Sequence, residues 1–100
     1  MTVLSDELRK TIRDIPDFPK PGIIFKDITP VLKSPELFRK VTDAFCERYR
    51  DKRIAAIVAI EARGFIFGGA LAERLGVSFI PVRKKGKLPH KTVSATYELE

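Results

Sequence analysis

Ile54-Ala55-Ala56-Ile57-Val58-Ala59-Ile60 is apolar without alternation. So short and uniform a run reads as a strand buried on both faces of a parallel sheet, because a strand with one wet face carries polar residues at every second position. Phe65 to Leu75 then has helical spacing of its apolar residues and is followed by Gly76, which readily takes the left-handed conformation that closes a helix. Val77-Ser78-Phe79-Ile80-Pro81-Val82 supplies a second short apolar strand. Strand, helix, strand makes a βαβ unit whose crossover is right-handed, so the two strands are expected to run parallel and side by side. The fold class is therefore α/β.

The residues before this unit organise what it carries. Ser5-Asp6-Glu7 is a helix start, since the hydroxyl accepts an orphan amide and the acids suit the positive helix end, and Leu8, Ile12 and Ile15 would share one face up to Pro16. Pro16-Asp17-Phe18-Pro19-Lys20-Pro21-Gly22 is a turn-rich connector with little unfolded-state freedom to lose. Ile23 to Ile28 reads as a short extended segment closed by Thr29-Pro30. Ser34-Pro35-Glu36 begins a second helix, with a cap, a proline at the first helical position and an acid behind it; Phe38, Val41, Phe45 and Tyr49 form its apolar stripe. Val93, Ala95, Tyr97 and Leu99 alternate with polar residues, as an edge strand or a hairpin arm would.

Charge is concentrated in one place. Arg83-Lys84-Lys85-Gly86-Lys87-Leu88-Pro89-His90-Lys91 holds five of the 19 Lys and Arg, and subtracting them leaves 14 against 13 Asp and Glu. The net charge of +6 is thus one local site on a nearly neutral body. The segment follows the second strand, and the carboxyl ends of parallel strands are where open α/β sheets bind ligands; its sign calls for an anion such as a phosphate. If the two strands are neighbours, about 4.8 Å apart, the loops Glu61-Ala62-Arg63-Gly64 and Arg83 to Lys87 emerge together. Arg63 stands just before a helix whose amides favour an anion, and Gly64 lets backbone approach a ligand closely. Arg63, Arg83, Lys84 and Lys87 can then converge on one polyanion, with the arginines giving bidentate contacts.

Each element also has a plainer reading. Arg63 by itself reads as a surface residue at a helix end with Glu61 as its ion-pair partner, the basic loop as solvated, and Gly64, Gly68 and Gly69 as relief for close helix packing. Phe25 is either core or a stacking platform for a base, with Lys26 breaking the apolar run beside it. His90 has no nucleophile near it in sequence and reads as a loop residue. Cys46 stands alone on the apolar side of a helix, which rules out an internal disulfide and offers no metal-ligand spacing. A lone cysteine suits a reducing compartment. No charged-then-apolar leader and no membrane-length apolar segment occurs in the sequence, so a cytoplasmic protein is expected, with no membrane partner.

Three motifs, Phe18-Pro19-Lys20-Pro21-Gly22-Ile23-Ile24-Phe25-Lys26-Asp27-Ile28-Thr29-Pro30, Glu61-Ala62-Arg63-Gly64-Phe65-Ile66-Phe67-Gly68 and Arg83-Lys84-Lys85-Gly86-Lys87-Leu88-Pro89, occur in an order and spacing that closely resemble the adenine phosphoribosyltransferase family. The resemblance runs essentially end to end. It implies a type I phosphoribosyltransferase fold, a parallel sheet flanked by helices with an N-terminal hood. It also implies a purine-salvage reaction in which adenine and phosphoribosyl pyrophosphate (PRPP), with Mg2+ bound mainly through PRPP, give AMP and pyrophosphate, commonly in a homodimer. Residues 1–33 would be the N-terminal helix and adenine hood, and residues 34–100 the start of the α/β core and a flexible loop. Adenine would lie against Phe25, read by the backbone of Ile24 and Lys26; the family often has arginine at the position of Lys26, so only the amide of that residue carries over. Glu61, Ala62 and Arg63 would form the pyrophosphate loop, with a cis peptide between Glu61 and Ala62. Arg83, Lys84 and Lys87 would be further pyrophosphate ligands, Arg83 and Lys84 being candidates for the partner subunit's site. Glu100 resembles a loop glutamate that assists proton transfer, and with Arg63 completes the expected catalytic pair.

The family's Thr/Gly-rich ribose-phosphate loop, preceded by two adjacent acids, has no counterpart in these residues, so they are expected to be the N-terminal part of a longer domain, inactive by itself. No dedicated metal site is visible. Two rival readings fit the same residues. One is a non-catalytic nucleotide- or RNA-binding module, against which the absence of aromatics from Arg83 to Lys91 counts. The other is a related xanthine-type phosphoribosyltransferase.

Overall fold

The structure, a computed structural model, describes residues 3–83. These divide into two compact units, one ending at Tyr49 and the other beginning at Arg50.

The first unit opens with helix α1 (Val3–Thr11), followed by strand β1 (Arg13–Pro16), strand β2 (Ile24–Asp27), helix α2 (Thr29–Lys33) and helix α3 (Pro35–Tyr49). The N-terminal helix is shorter than its apolar spacing predicts. The Ile12 N–H still donates to the Leu8 carbonyl at 2.8 Å, but Ile15 lies in β1 opposite Phe25. Strands β1 and β2 are antiparallel, with Arg13, Asp14, Ile15 and Pro16 facing Asp27, Lys26, Phe25 and Ile24. β-branched Ile15 opposite an aromatic is a favourable cross-strand pair, and this non-local pairing overrides the helical pattern.

The extended segment ends at Asp27, just before Thr29-Pro30 as expected, and the same two residues start α2, with proline in the first turn where its missing N–H costs nothing. The entry to α3 is as the sequence implies: Ser34 Oγ accepts the Leu37 N–H at 3.1 Å. Its buried face is rotated from the expected stripe. Leu37, Thr42 and Cys46 are the buried positions, while Phe45 is 40% exposed. Thr42 can be buried because its hydroxyl donates to the Phe38 carbonyl at 3.0 Å, leaving its methyl to pack. Val31 of α2, Leu37 and Cys46 form the core of this unit.

The second unit contains strand β3 (Ala56–Ile60), helix α4 (Arg63–Leu75) and strand β4 (Ser78–Val82). The two strands pair in parallel, in register from Ala56 opposite Ser78 to Ile60 opposite Val82, and complete the expected βαβ unit. Gly76 takes φ +70° and its N–H reaches the carbonyls of Ala72 and Glu73, so the helix ends where a left-handed residue is available.

Helix and sheet approach closely at one point. A Cβ on Gly68 would lie 2.8 Å from Ala59 Cβ and 3.0 Å from Phe79 Cε1. Phe65 completes this face, its ring meeting that of Phe79 edge-on at 5.6 Å. Successive strand side chains point to opposite faces, so α4 covers Ala59 while Val58 and Ile60 stay 62% and 54% exposed. In the described residues β3 is therefore buried on one face rather than on both as its sequence suggests.

Candidate active site

Parallel pairing of β3 and β4 puts their carboxyl ends beside each other, and the two expected anion-binding loops start there. The Glu61 N–H donates to the Val82 carbonyl at 3.0 Å, continuing the ladder one residue past the strand. The Glu61–Ala62 peptide is cis, as the resemblance implies. Ala62 then caps α4 without a side chain able to accept the first-turn amides. A helix N-terminus left without a side-chain cap is a site where anions are favoured, both by its amides and by its dipole. Arg63, the first residue of the helix, is exposed on this terminus.

Arg83 follows β4 directly, and its Nε lies 3.7 Å from Glu61 Oε1. Glu61 therefore pairs across to the neighbouring strand end. Its side chain is 14% exposed and that of Arg83 37%, so the pair is partly shielded from solvent. The sheet thus gathers Glu61, Ala62, Arg63 and Arg83 at one edge. Lys84, Lys87, His90 and Glu100, and the alternating segment from Val93 to Leu99, lie outside the described residues. Of the three glycines, Gly68 is required for packing, whereas a Cβ on Gly64 would meet nothing closer than 3.6 Å and one on Gly69 nothing within 4 Å.

The first unit holds the other group. Phe25 is half-buried on β2, and Ile24 beside it is 58% exposed. Ile24 and Lys26 are two apart in an extended strand, so their backbone polar groups point the same way. The Lys26 ammonium donates to Asp14 Oδ1 across the hairpin at 2.6 Å, which commits that side chain to the strand pair.

Phe18, which the sequence reading did not single out as a site residue, meets the Phe25 ring edge-on at 5.2 Å and is itself 50% exposed. The loop presenting it is tightly specified. Phe18-Pro19 is cis, Asp17 has φ 56° and Gly22 φ 88°, and the Gly22 N–H donates to Asp17 Oδ1 at 3.0 Å. An aromatic between two prolines, in a segment too rich in turn formers to be core, was the available signal for it. At the far end of β2, Asp27 Oδ1 accepts the Thr29 N–H at 2.9 Å and its hydroxyl at 2.8 Å. These bonds, the backbone one foremost, hold the Asp27 carboxyl below its usual range.

No family model matches the chain. Individual proteins match strongly. An adenine phosphoribosyltransferase from Solidesulfovibrio magneticus is 60% identical over 94 residues, 94% of this chain and 55% of that protein. The chain matches the N-terminal part of the adenine phosphoribosyltransferases. Among solved structures, the adenine phosphoribosyltransferase of Thermoanaerobacter pseudethanolicus superposes with a TM-score of 0.90 at 54% identity, over 95% of this chain and 55% of that one. The Saccharomyces cerevisiae adenine phosphoribosyltransferase, solved with adenine and an imino-altritol bisphosphate, gives 0.90 at 44% identity, over 100% of this chain and 59% of that one. The chain spans about half the length of the family members it matches. The family's parallel sheet is begun here by β3 and β4, and the α/β class read from the sequence is the class observed.

Proposed function

We propose that the protein containing this chain is a purine-salvage enzyme that transfers phosphoribosyl from PRPP to adenine, giving AMP and pyrophosphate. The observation that carries the proposal is the pairing of β3 with β4, which sets the pyrophosphate-loop sequence of the family beside the start of the basic segment. A ring nitrogen of adenine forms a bond to the anomeric carbon as the bond from that carbon to pyrophosphate breaks. The leaving group keeps the electron pair and adenine loses a ring proton, for which Glu100 is the assigned acceptor.

Negative charge grows on the departing pyrophosphate, and Arg63, Arg83, Lys84 and Lys87 are assigned to it. Donors held in place before the reaction stabilise such charge without reorganising. Ile24 and Lys26 read the base through their backbone and Phe25 stacks on it, an arrangement suited to Lys26 because its ammonium is engaged with Asp14.

Among the described residues no three His, Cys, Asp or Glu side chains gather as a metal site. Magnesium is assigned to the oxygens of PRPP on its own chemistry, since it binds phosphate oxygens readily while keeping its waters, and no step is routed through a protein-held ion. We further assign a cytoplasmic homodimer. No described helix is long and apolar enough to cross a membrane.

The test is an incubation of the protein with PRPP, magnesium and one base at a time. Adenine should give AMP and pyrophosphate in equal amounts, and xanthine or hypoxanthine should neither react nor compete. Turnover of xanthine in place of adenine would assign the protein to the related enzyme class, and tight RNA binding without turnover would make it a binding module.

A further inference from the structure

Glu61 is an anomaly in a site meant for a polyanion. A carboxylate cannot donate to pyrophosphate at neutral pH and repels it, yet this one sits at the mouth of the loop with a side chain only 14% exposed. Its geometry gives it another task. The backbone of Glu61 is tied to the neighbouring strand by its N–H bond to the Val82 carbonyl at 3.0 Å, so its position relative to β4 is set by the sheet. From there Oε1 lies 3.7 Å from the Nε of Arg83, the residue next after Val82. At 3.7 Å the contact is an ion pair rather than a hydrogen bond, and by drawing the Nε side of the planar guanidinium toward β3 it biases the direction in which the remaining donors of the fork are offered.

We infer that Glu61 is a positioning residue for pyrophosphate recognition, holding the Arg83 guanidinium in the orientation that receives a phosphate rather than touching the ligand. This rests on the phosphoribosyltransferase reading above and changes the part Glu61 plays in it. It also makes a prediction whose sign is unusual. Removing a negative charge from an anion site strengthens anion binding if charge alone matters. If orientation matters more, removing it weakens binding.

The experiment is a calorimetric titration of inorganic pyrophosphate into the intact protein and into Glu61→Gln, Glu61→Asp and Arg83→Ala. Glu61→Gln keeps size and shape and leaves the backbone bond to Val82 in place. Its pyrophosphate dissociation constant should rise about fivefold, the change that about 1 kcal/mol produces. Glu61→Asp keeps the charge and should recover part of the loss, Arg83→Ala should lose at least as much as Glu61→Gln, and adenine binding should be unchanged in all three. A purely structural role for Glu61 would lower adenine binding and the melting temperature together with pyrophosphate binding. Equal or tighter pyrophosphate binding by Glu61→Gln, with Arg83→Ala weakened, overturns the positioning role and leaves the functional reading intact. No pyrophosphate binding by the unaltered protein overturns the functional reading itself.

Discussion

Gly68→Ala and Gly69→Ala are neighbouring, chemically identical changes in one helix, and the packing of α4 on the sheet predicts opposite signs for them. At Gly68 the new methyl would lie 2.8 Å from Ala59 Cβ, 3.0 Å from Phe79 Cε1 and 3.6 Å from Ile57 Cγ2. Favourable carbon contacts begin at about 3.5 Å, so two of these three are clashes. Ala59 Cβ has no side-chain torsion with which to move away, and the Phe79 ring is held edge-on by Phe65. Overpacking of this kind costs about 1–3 kcal/mol, of which alanine's better helix propensity offsets about 1 kcal/mol, leaving a net loss of about 1 kcal/mol. At Gly69 nothing lies within 4 Å of the new methyl, so only the propensity gain of about 1 kcal/mol remains. The two variants should therefore differ by about 2 kcal/mol. Urea unfolding with a common m-value measures this as a separation of midpoints, Gly68→Ala below the parent and Gly69→Ala above it. A Gly68→Ala midpoint equal to or above that of Gly69→Ala would refute the close approach of α4 to Ala59.

Arg63→Ala should lower the rate of AMP formation by about a hundredfold, the low end for loss of a charge-stabilising donor, while adenine affinity, measured by calorimetry, stays within experimental error of the parent. Phe25→Ala should weaken adenine binding by about 1–3 kcal/mol, the range for losing one base–aromatic stack; unchanged affinity would return Phe25 to the hairpin core. Asp27→Asn should remove a pH-dependent contribution to stability. Because the Thr29 bonds lower the folded-state pKa of Asp27, that contribution is full above the unfolded-state pKa and disappears as pH falls through the folded-state value. Stability of parent and variant, followed from neutral to strongly acidic pH, should differ most at neutral pH and converge in acid.

The elements legible in the sequence were those whose signals are local. Ser34 and Pro35 announce the start of α3, Gly76 its own left-handed cap on α4, and the short apolar runs on either side of α4 the parallel pair. Ile15 was misread because leucine and isoleucine at positions 8, 12 and 15 satisfy a helical period. What places Ile15 in a strand is Phe25 across the hairpin, ten residues away in sequence. The buried face of α3 was misread for a related reason: aromatic residues dominate a hydrophobic stripe, but Phe45 is 40% exposed while the smaller Cys46 and Thr42 fill the interior. In the candidate site, Arg63 and Arg83 were legible as charges at strand ends. The Glu61–Arg83 pairing was not, since the two residues are far apart in sequence and only the parallel register of β3 and β4 brings them together. Phe18 carries no periodic signal, because it lies in a turn with Pro19 after it and Pro16 two residues before it.

In the proposed enzyme the hairpin carrying Phe25 serves the base and the strand ends carrying Arg63 and Arg83 serve PRPP, a division of labour open to direct test. Its most direct test is a calorimetric titration of magnesium PRPP, in the absence of adenine, into the protein and its Arg63→Ala and Phe25→Ala variants. The predicted result is a marked loss of PRPP affinity in Arg63→Ala and parent-like affinity in Phe25→Ala. Parent-like PRPP binding by Arg63→Ala, or an equal loss in both variants, would contradict it.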